Sequence, residues 1–136
     1  IQESPTDHRM EIIRYRFEHE DAVLSAINKD ANWALFTNDG AIDNYRKCLK
    51  ESITYVCYEN GEFCGYLRAL LDNGFAVYIS ELYVLPECRN RTIGRSLIAH
   101  VKEEFDPLTV YALSDEDAYY KKLGFTRVGS VFEVSA

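Results

Sequence analysis

One stretch, residues 76 to 102, constrains the fold more than any other part of this 136-residue chain. Its first ten residues are rich in β-branched and aromatic side chains, which predicts a buried strand. Pro86 ends that strand, because proline has no N–H to donate to a β-ladder. A basic turn follows, and beyond it apolar residues recur at helical spacing: Leu97, Ile98, Val101 and Phe105. The stretch therefore predicts a strand, a cationic turn and a helix, in that order.

The basic turn is a candidate phosphate-binding site. It carries Arg89, Arg91 and Arg95 in a chain whose formal net charge is −7. The first N–H groups of a helix lack partners inside the helix, and the aligned peptide dipoles make that end positive, so phosphate binds there readily. An ordinary connection with solvated arginines is the alternative. The chain contains neither G-x-x-x-x-G-K-[ST] nor G-x-G-x-x-G, which excludes two other phosphate-binding motifs.

Length and composition predict a single domain, residues 10–136, preceded by a leader or a disordered arm at residues 1–9. No apolar run approaches the length of a membrane span, so we expect no membrane partner. The acidic balance argues against nucleic acid and weakly favours cationic ligands. The 4 cysteines lack zinc-ligand spacing, so we expect no metal and free thiols in a reducing cytoplasm.

Hydrophobic periodicity and turn signals predict the element order β-α-α-β-β-β-α-β-α-β. The strongest hairpin signal is Asn60-Gly61. The final helix ends at Gly124, which is a typical C-terminal stop, and a closing strand pair or one long bent strand follows at 125–134. The other predicted elements are strands at 11–17, 52–58, 62–71, 76–85 and 108–113, and helices beginning near residues 19, 41, 95 and 118.

Two motifs in this order resemble those of the GNAT superfamily of N-acetyltransferases. The acetyl-CoA signature of that superfamily is R/Q-x-x-G-x-G/A between a hydrophobic strand and a helix. Here Arg89 fills its first position, Gly94 fills its last, and Thr92 stands where glycine is usual. Threonine is strained at position 92 if the backbone needs a positive φ there, and tolerated if the residue is already helical. The second signature, F-Y-x-x-x-G-F, is similar to Tyr119, Tyr120, Gly124 and Phe125.

The resemblance covers residues 10–136 and implies the GNAT fold, an α/β (α+β) architecture with a mixed, mostly antiparallel sheet flanked by helices. It also implies acetyl-CoA as co-substrate, with no metal. In the family, backbone groups of the central strand hold the pantetheine arm, and the turn and helix start hold the phosphates. The positions that match are Leu82, Tyr83 and Val84 on the strand, and Arg89, Asn90, Arg91, Thr92, Ile93, Gly94, Arg95 and Ser96 beyond it.

Acetyl transfer to an amine needs a neutral nucleophile, donors for the developing oxyanion and a proton for the departing thiolate. The family's thiolate-protonating tyrosine maps to Tyr120, for which packing is the alternative role. Glu81 is the candidate general base, acting directly or through a water molecule. A structural role for this carboxylate is the alternative. The expected acceptor pocket contains Trp33, Phe36 and Tyr78. The segment around Trp33 is predicted to be an apolar loop, for which the alternative role is a hydrophobic patch that closes the core.

The resemblance implies an enzyme that moves an acetyl group from acetyl-CoA to a primary amine by direct transfer in a ternary complex. A small cationic acceptor such as an aminoglycoside or a polyamine is the favoured class. One alternative is a catalytically weak module that binds CoA as a sensor. Another is acetylation of protein lysines or N-termini. The acceptor's identity and the choice between monomer and homodimer stay open on the sequence.

Overall fold

The structure is a computed structural model that describes residues 9–38 and 40–136. Of the expected leader at residues 1–9, all but Arg9 lie outside the described residues. The described part contains five strands and four α-helices, with short 3-10 helices between them. In chain order they are β1 Met10–Arg14, α1 Glu20–Asn28, α2 Ala41–Glu51, β2 Ile53–Glu59, β3 Glu62–Asp72, β4 Ala76–Val84, α3 Ile93–Glu104, β5 Thr109–Ala112 and α4 Asp117–Lys122.

The strands form one sheet in the order β1-β2-β3-β4-β5. The pairs β1–β2, β2–β3 and β3–β4 are antiparallel, and β5 runs parallel to β4. Asn60 and Gly61, at φ 53° and 81°, join β2 to β3. Two consecutive positive φ angles suit the right-handed twist of the flanking strands, which is why this dipeptide marks hairpins. The mixed, mostly antiparallel sheet confirms the predicted fold class.

Helices cover both faces of the central strands. On one face α3 buries its apolar stripe against β2, β3 and β4, with Tyr120 of α4 and the adjoining Leu123 at the margin. On the other face α1 and α2 enclose an aromatic-rich cluster. Each fully buried aliphatic side chain contributes about 1.5–3 kcal/mol. The side chains with no exposed surface include Val23, Ile27, Leu49, Val56, Tyr66, Leu67, Val77, Leu97 and Val101.

A bulge in β4 sets which side chains face which helix layer. Arg68 pairs with Glu81, but the next pair joins Ala69 to Ile79, so Ser80 has no counterpart on β3. A bulge re-aims the side chains around it. As a result Glu81 points to the α2 layer, where it contacts Tyr45, and the following residue, Leu82, packs on the α3 layer.

Two local predictions are wrong. Residues 125–136, all of which the structure describes, lie in no strand, and their apolar side chains are exposed, Phe132 by 82% and Val134 by 92%. β-branched composition favours a strand only where a ladder partner and a surface to bury against exist. The segment around Trp33, expected as a loop, belongs to a 3-10 helix, Ala31–Phe36.

Candidate active site

The strand, turn and helix predicted from the sequence meet where β4 loses one neighbour. β5 pairs with β4 only from Ala76 to Ile79, and the Leu113 N–H donates the last bond, to the Ile79 carbonyl at 2.8 Å. From Ser80 to Val84, within the described part of the chain, no strand lies on the β5 side of β4. Peptide N–H and C=O groups on that side need another partner, and this stretch contains the three predicted pantetheine-binding residues.

The turn beyond β4 is held by its own arginines. Arg89 donates from Nε to the Val84 carbonyl at 3.0 Å, and its guanidinium lies 5.9 Å from the Tyr83 ring centroid. Arg91 pairs with Glu59 at 3.2 Å with 55% of its side chain exposed, so this ion pair is weak. Both guanidinium groups therefore keep N–H donors turned to solvent at the mouth of the turn.

Thr92 begins α3 in the left-handed region, at φ 66° and ψ 9°. This is the case in which a β-branched residue is strained, at a cost of order 1–3 kcal/mol. Asn90 also has φ 66°, but asparagine tolerates that conformation. Because the first helical bond runs from the Ser96 N–H to the Thr92 carbonyl at 2.9 Å, the N–H groups of residues 93–95 have no partner inside α3. They form the positive helix end that a phosphate needs.

Gly94 allows α4 to approach that helix end. A Cβ placed on Gly94 would collide with the Tyr119 hydroxyl oxygen, and it would lie 3.3 Å from Tyr119 Cζ and 3.6 Å from Leu82 Cδ2. No other residue type leaves this space. Tyr119 and Tyr120 are in edge contact, with ring centroids 5.2 Å apart. The structure thus brings Tyr119 to the start of α3, with Tyr120 beside it.

Tyr120 is suited to donate a proton. Its ring packs on the α3 layer, and burial, followed by the proximity of Tyr119 and Asp115, raises its pKa to about 12. The phenol is therefore protonated at neutral pH. Tyr120 therefore carries the proton that a departing thiolate needs, while the raised pKa makes it a weaker acid than a free phenol.

Glu81 lies in a closed polar network. The residue is 5% exposed, and its carboxylate accepts from Arg68 Nε at 2.6 Å, from Arg68 Nη2 at 2.5 Å and from the Tyr45 hydroxyl at 2.7 Å. Tyr45 in turn lies 2.6 Å from the Tyr66 hydroxyl. A general base must reach the proton that it takes. This carboxylate is engaged on both oxygen atoms, and the geometry favours the structural alternative.

Arg68 and Tyr45 were missed from the sequence. Arg68 also donates to Ser52 Oγ at 3.0 Å and to Ser80 Oγ at 3.2 Å. Burial alone lowers the pKa of Arg68, but the hydrogen bond and charge of Glu81 outweigh it and raise the pKa above its usual value. The available signal was an arginine inside the apolar run 65–71, since a buried charge needs a partner of opposite sign.

The predicted pocket residues fall in two places. Trp33 and Phe36 are in contact, with ring centroids 5.7 Å apart, and Trp33 meets Tyr83 edge-on at 5.0 Å. Tyr78 instead stacks on Tyr111 at 5.4 Å and is 46% exposed. The structure brings the first two together and places Tyr78 further along the sheet.

An open cleft of about 510 Å³ lies beside the Tyr83 ring, between α1 and the turn after β4. The Tyr83 hydroxyl donates to Asp30 Oδ2 at 3.3 Å. Two carboxylates, from Asp30 and Glu87, and one ammonium, from Lys29, line the cleft. Its balance of charged groups is therefore acidic.

Neither a membrane-spanning helix nor a metal-binding group occurs among the described residues. No helix of this part of the chain is both long and apolar enough to cross a membrane. In the same residues, no group of three or more His, Cys, Asp or Glu side chains is placed to hold a metal ion.

Solved structures of acetyltransferases share this fold. An aminoglycoside N-acetyltransferase, AAC(6')-Iy, in complex with CoA superimposes with a TM-score of 0.77 at 16% identity, over 98% of each chain. The aminoglycoside acetyltransferase HMB0005, from an uncultured soil metagenomic sample, gives 0.72 at 21% identity, over 94% of this chain and 99% of the other. The GNAT family protein SP0256 of Streptococcus pneumoniae gives 0.66 at 16% identity, over 96% and 100%. At these identities the likeness shows the fold alone.

Sequence comparison gives the family. An uncharacterized N-acetyltransferase, ycf52, of Pyropia yezoensis is 30% identical over 73 residues, which is 50% of this chain and 42% of that protein. The chain thus spans less than half the length of this curated relative. The family model described as an acetyltransferase (GNAT) domain matches residues 50–127, a segment that runs from β2 through both signature motifs and covers more than half of the chain. This protein is therefore a member of the GNAT family of acetyltransferases.

Proposed function

We propose that this protein binds acetyl-CoA and transfers the acetyl group to a primary amine, by direct transfer in a ternary complex. One observation carries the proposal. The side of β4 that β5 leaves open after Ile79 leads to the N–H groups without helical partners at the start of α3. Tyr120 packs on the same core layer as Leu82 and Val84 of β4. A long cofactor with an anionic end and a thioester end fits this arrangement.

The residues present suit each part of the cofactor. Backbone groups of Leu82, Tyr83 and Val84 would hold the pantetheine arm, since peptide groups on the open side of β4 need hydrogen-bond partners. The N–H groups of residues 93–95, with the nearby arginines, would hold the phosphates. The residues of this second group are Arg89, Asn90, Arg91, Thr92, Ile93, Gly94, Arg95 and Ser96.

Bound acetyl-CoA supplies an acetyl thioester, so transfer forms a C–N bond and breaks a C–S bond. Tyr120 would donate its phenolic proton to the leaving sulfur, since its raised pKa keeps the phenol protonated at neutral pH. The amine must lose a proton as it attacks. Because Glu81 is held by Arg68 and Tyr45, we assign its first role to fixing the bulge of β4. As the candidate base it would take the proton of the amine directly or through water.

The acceptor that we propose is a small cationic amine, of the aminoglycoside or polyamine type. Asp30 and Glu87 give the cleft beside Tyr83 an acidic balance, and acidic clefts attract cations. Trp33 and Phe36 lie behind the Tyr83 wall of this cleft. The solved structures named as aminoglycoside acetyltransferases agree with this class. A reducing cytoplasm is the compartment that we propose, since all four cysteines are free.

The first test is calorimetric titration with acetyl-CoA. We expect micromolar binding by the parent protein and a loss of at least about tenfold in the double variant Arg89→Ala/Arg91→Ala, because each guanidinium near a phosphate contributes a charge-assisted contact. The control is Lys47→Ala/Lys50→Ala on α2, which removes the same charge from exposed positions and should bind like the parent. Failure of the parent to bind acetyl-CoA would refute the proposal.

An amine panel then identifies the acceptor by thiol release from acetyl-CoA. Aminoglycosides and polyamines should be turned over, and peptides with a free lysine or N-terminus should not. The variant Asp30→Asn should raise the KM of a cationic amine. Preferred turnover of peptides would favour the protein-acetylating alternative and refute the small-molecule class.

A CoA-binding sensor without efficient transfer is the second candidate function. The strained Thr92 in the cofactor turn and the engaged carboxylate of Glu81 favour it. Tight binding of acetyl-CoA with no turnover across the amine panel would establish it.

A further inference from the structure

The hydroxyl of Tyr119 lies at the first turn of α3. It occupies the space where a Cβ of Gly94 would stand, so it is in contact with the second residue of the helix. The N–H groups of residues 93–95 leave the helix at the same place without partners inside it. Several hydrogen-bond donors therefore converge on one small volume.

This hydroxyl has no hydrogen-bond partner among residues 9–38 and 40–136. The residue is partly buried, and its oxygen is not among the fully buried atoms without a partner, so a ligand can reach it from solvent. Burial raises the pKa of Tyr119, although the guanidinium of Arg95 lowers it. The phenol is thus protonated at neutral pH and available as a donor, with a cation close by. Donors without an acceptor beside a positive charge call for an anion.

We propose that Tyr119 is a further cofactor-binding residue, which donates a hydrogen bond to a phosphate of acetyl-CoA at the first turn of α3. The inference rests on the proposed function, since it needs acetyl-CoA in this site. The family's second signature has phenylalanine at the position of Tyr119. The hydroxyl is therefore an addition in this chain that the signature does not explain.

The two adjacent tyrosines would contact different parts of the cofactor. Tyr119 meets the α3 end through Gly94, where the phosphates bind. Tyr120 packs on the α3 layer with Leu82 and Val84 of β4, along the path of the thioester arm. Loss of the first hydroxyl should affect binding, and loss of the second should affect turnover.

The test is Tyr119→Phe, measured by calorimetry with CoA and with pantetheine, which lacks the phosphates. Hydrogen bonds to charged groups contribute enough that we expect the Kd for CoA to rise roughly tenfold. The affinity for pantetheine should stay within about twofold of the parent value. The control is Tyr111→Phe on β5, a tyrosine stacked on Tyr78 away from the turn, which should leave both affinities unchanged.

Thermal unfolding supplies a readout that packing alone would not move. Since the Tyr119 hydroxyl has no protein partner in the described part of the chain, Tyr119→Phe should unfold at the parent temperature without ligand. Saturating CoA should raise the unfolding temperature of Tyr119→Phe by less than it raises that of the parent protein.

Three results would overturn the inference. If CoA binds the parent and Tyr119→Phe equally well, the hydroxyl contacts no phosphate. If pantetheine affinity falls as much as CoA affinity, Tyr119 acts on the arm and not on the phosphates. If the parent binds no acetyl-CoA, the proposed function and this inference fail together, whereas the first two outcomes leave the proposed function standing.

Discussion

Replacing Arg68 with methionine should destabilise the protein strongly, because it leaves Glu81 buried without its counter-ion. The two side chains are 12% and 4% exposed, and their closest N–O distance is 2.5 Å. After the change, the Tyr45 hydroxyl would be the one remaining donor of the three that now serve the carboxylate. Methionine has a similar length and no charge, so the change removes the ion pair with little loss of volume.

The size of this destabilisation follows from the carboxylate charge that stays buried. Breaking a buried ion pair from one side costs about 3–5 kcal/mol, because the orphaned charge has lost its water and its partner. Domains have a total stability of about 5–15 kcal/mol, so about a fifth or more of the total stability would be lost. For a domain of this length the loss corresponds to a fall in Tm of roughly 10–20 °C.

Urea unfolding followed by circular dichroism measures this loss. The double variant Arg68→Met/Glu81→Leu should recover most of it, because an apolar pair replaces the ion pair without leaving a charge. Arg91→Ala, which breaks the exposed pair with Glu59, should cost less than about 1 kcal/mol. The reasoning is refuted if Arg68→Met unfolds within about 1 kcal/mol of the parent, or if the double variant is no more stable than the single one.

Three further predictions follow from the site. Tyr120→Phe should lower kcat roughly 100-fold, which is a typical loss for a general acid. Its affinity for acetyl-CoA, measured by calorimetry, should stay within about twofold of the parent value. Unchanged turnover would remove Tyr120 from the mechanism. Thr92→Gly should raise the free energy of unfolding by about 1 kcal/mol, because relief of strain exceeds the entropy cost of glycine; a less stable variant in urea would show that Thr92 is not strained. Burial raises the pKa of Tyr120 from 10.0 to about 12 and that of Cys57 from 9.0 to about 11. Between roughly pH 9 and 12 the unfolded chain therefore holds fewer protons than the native protein. The free energy of unfolding should be constant below this window and should fall as the pH rises through it. Urea midpoints that stay level from pH 8 to 11 would contradict the last prediction.

The strand–turn–helix unit could be predicted from sequence because its signals are local. Proline after a β-branched run, a basic turn and an i, i+3, i+4 stripe each act within a few residues. The hairpin at Asn60-Gly61 is equally local, since two positive φ angles decide it. For Thr92 the sequence predicted two alternatives, a strained or a helical backbone, and the structure has the strained one.

The Arg68–Glu81 pair could not be predicted, because it depends on register. With regular pairing the two strands would align differently, and the bulge that leaves Ser80 unpaired has no signature in the sequence. The wrong closing strand has a related cause. The segment 125–134 has the composition of a strand, but pairing depends on a free edge at the right distance, which no local pattern reports.

The same bulge connects the two halves of the site. Beyond Ile79, β4 has lost β5 on one side, so its pairing from there to Val84 is with β3. The next residues, Ser80 and Glu81, are tied to β3 by Arg68 at that point. The network therefore fixes the start of the open part of β4 to β3, next to where the cofactor arm would bind. If this is its role, Arg68→Met/Glu81→Leu will recover stability but bind acetyl-CoA less tightly than the parent, since an apolar pair packs without fixing the bulge; equal affinity would mean that the network serves folding alone.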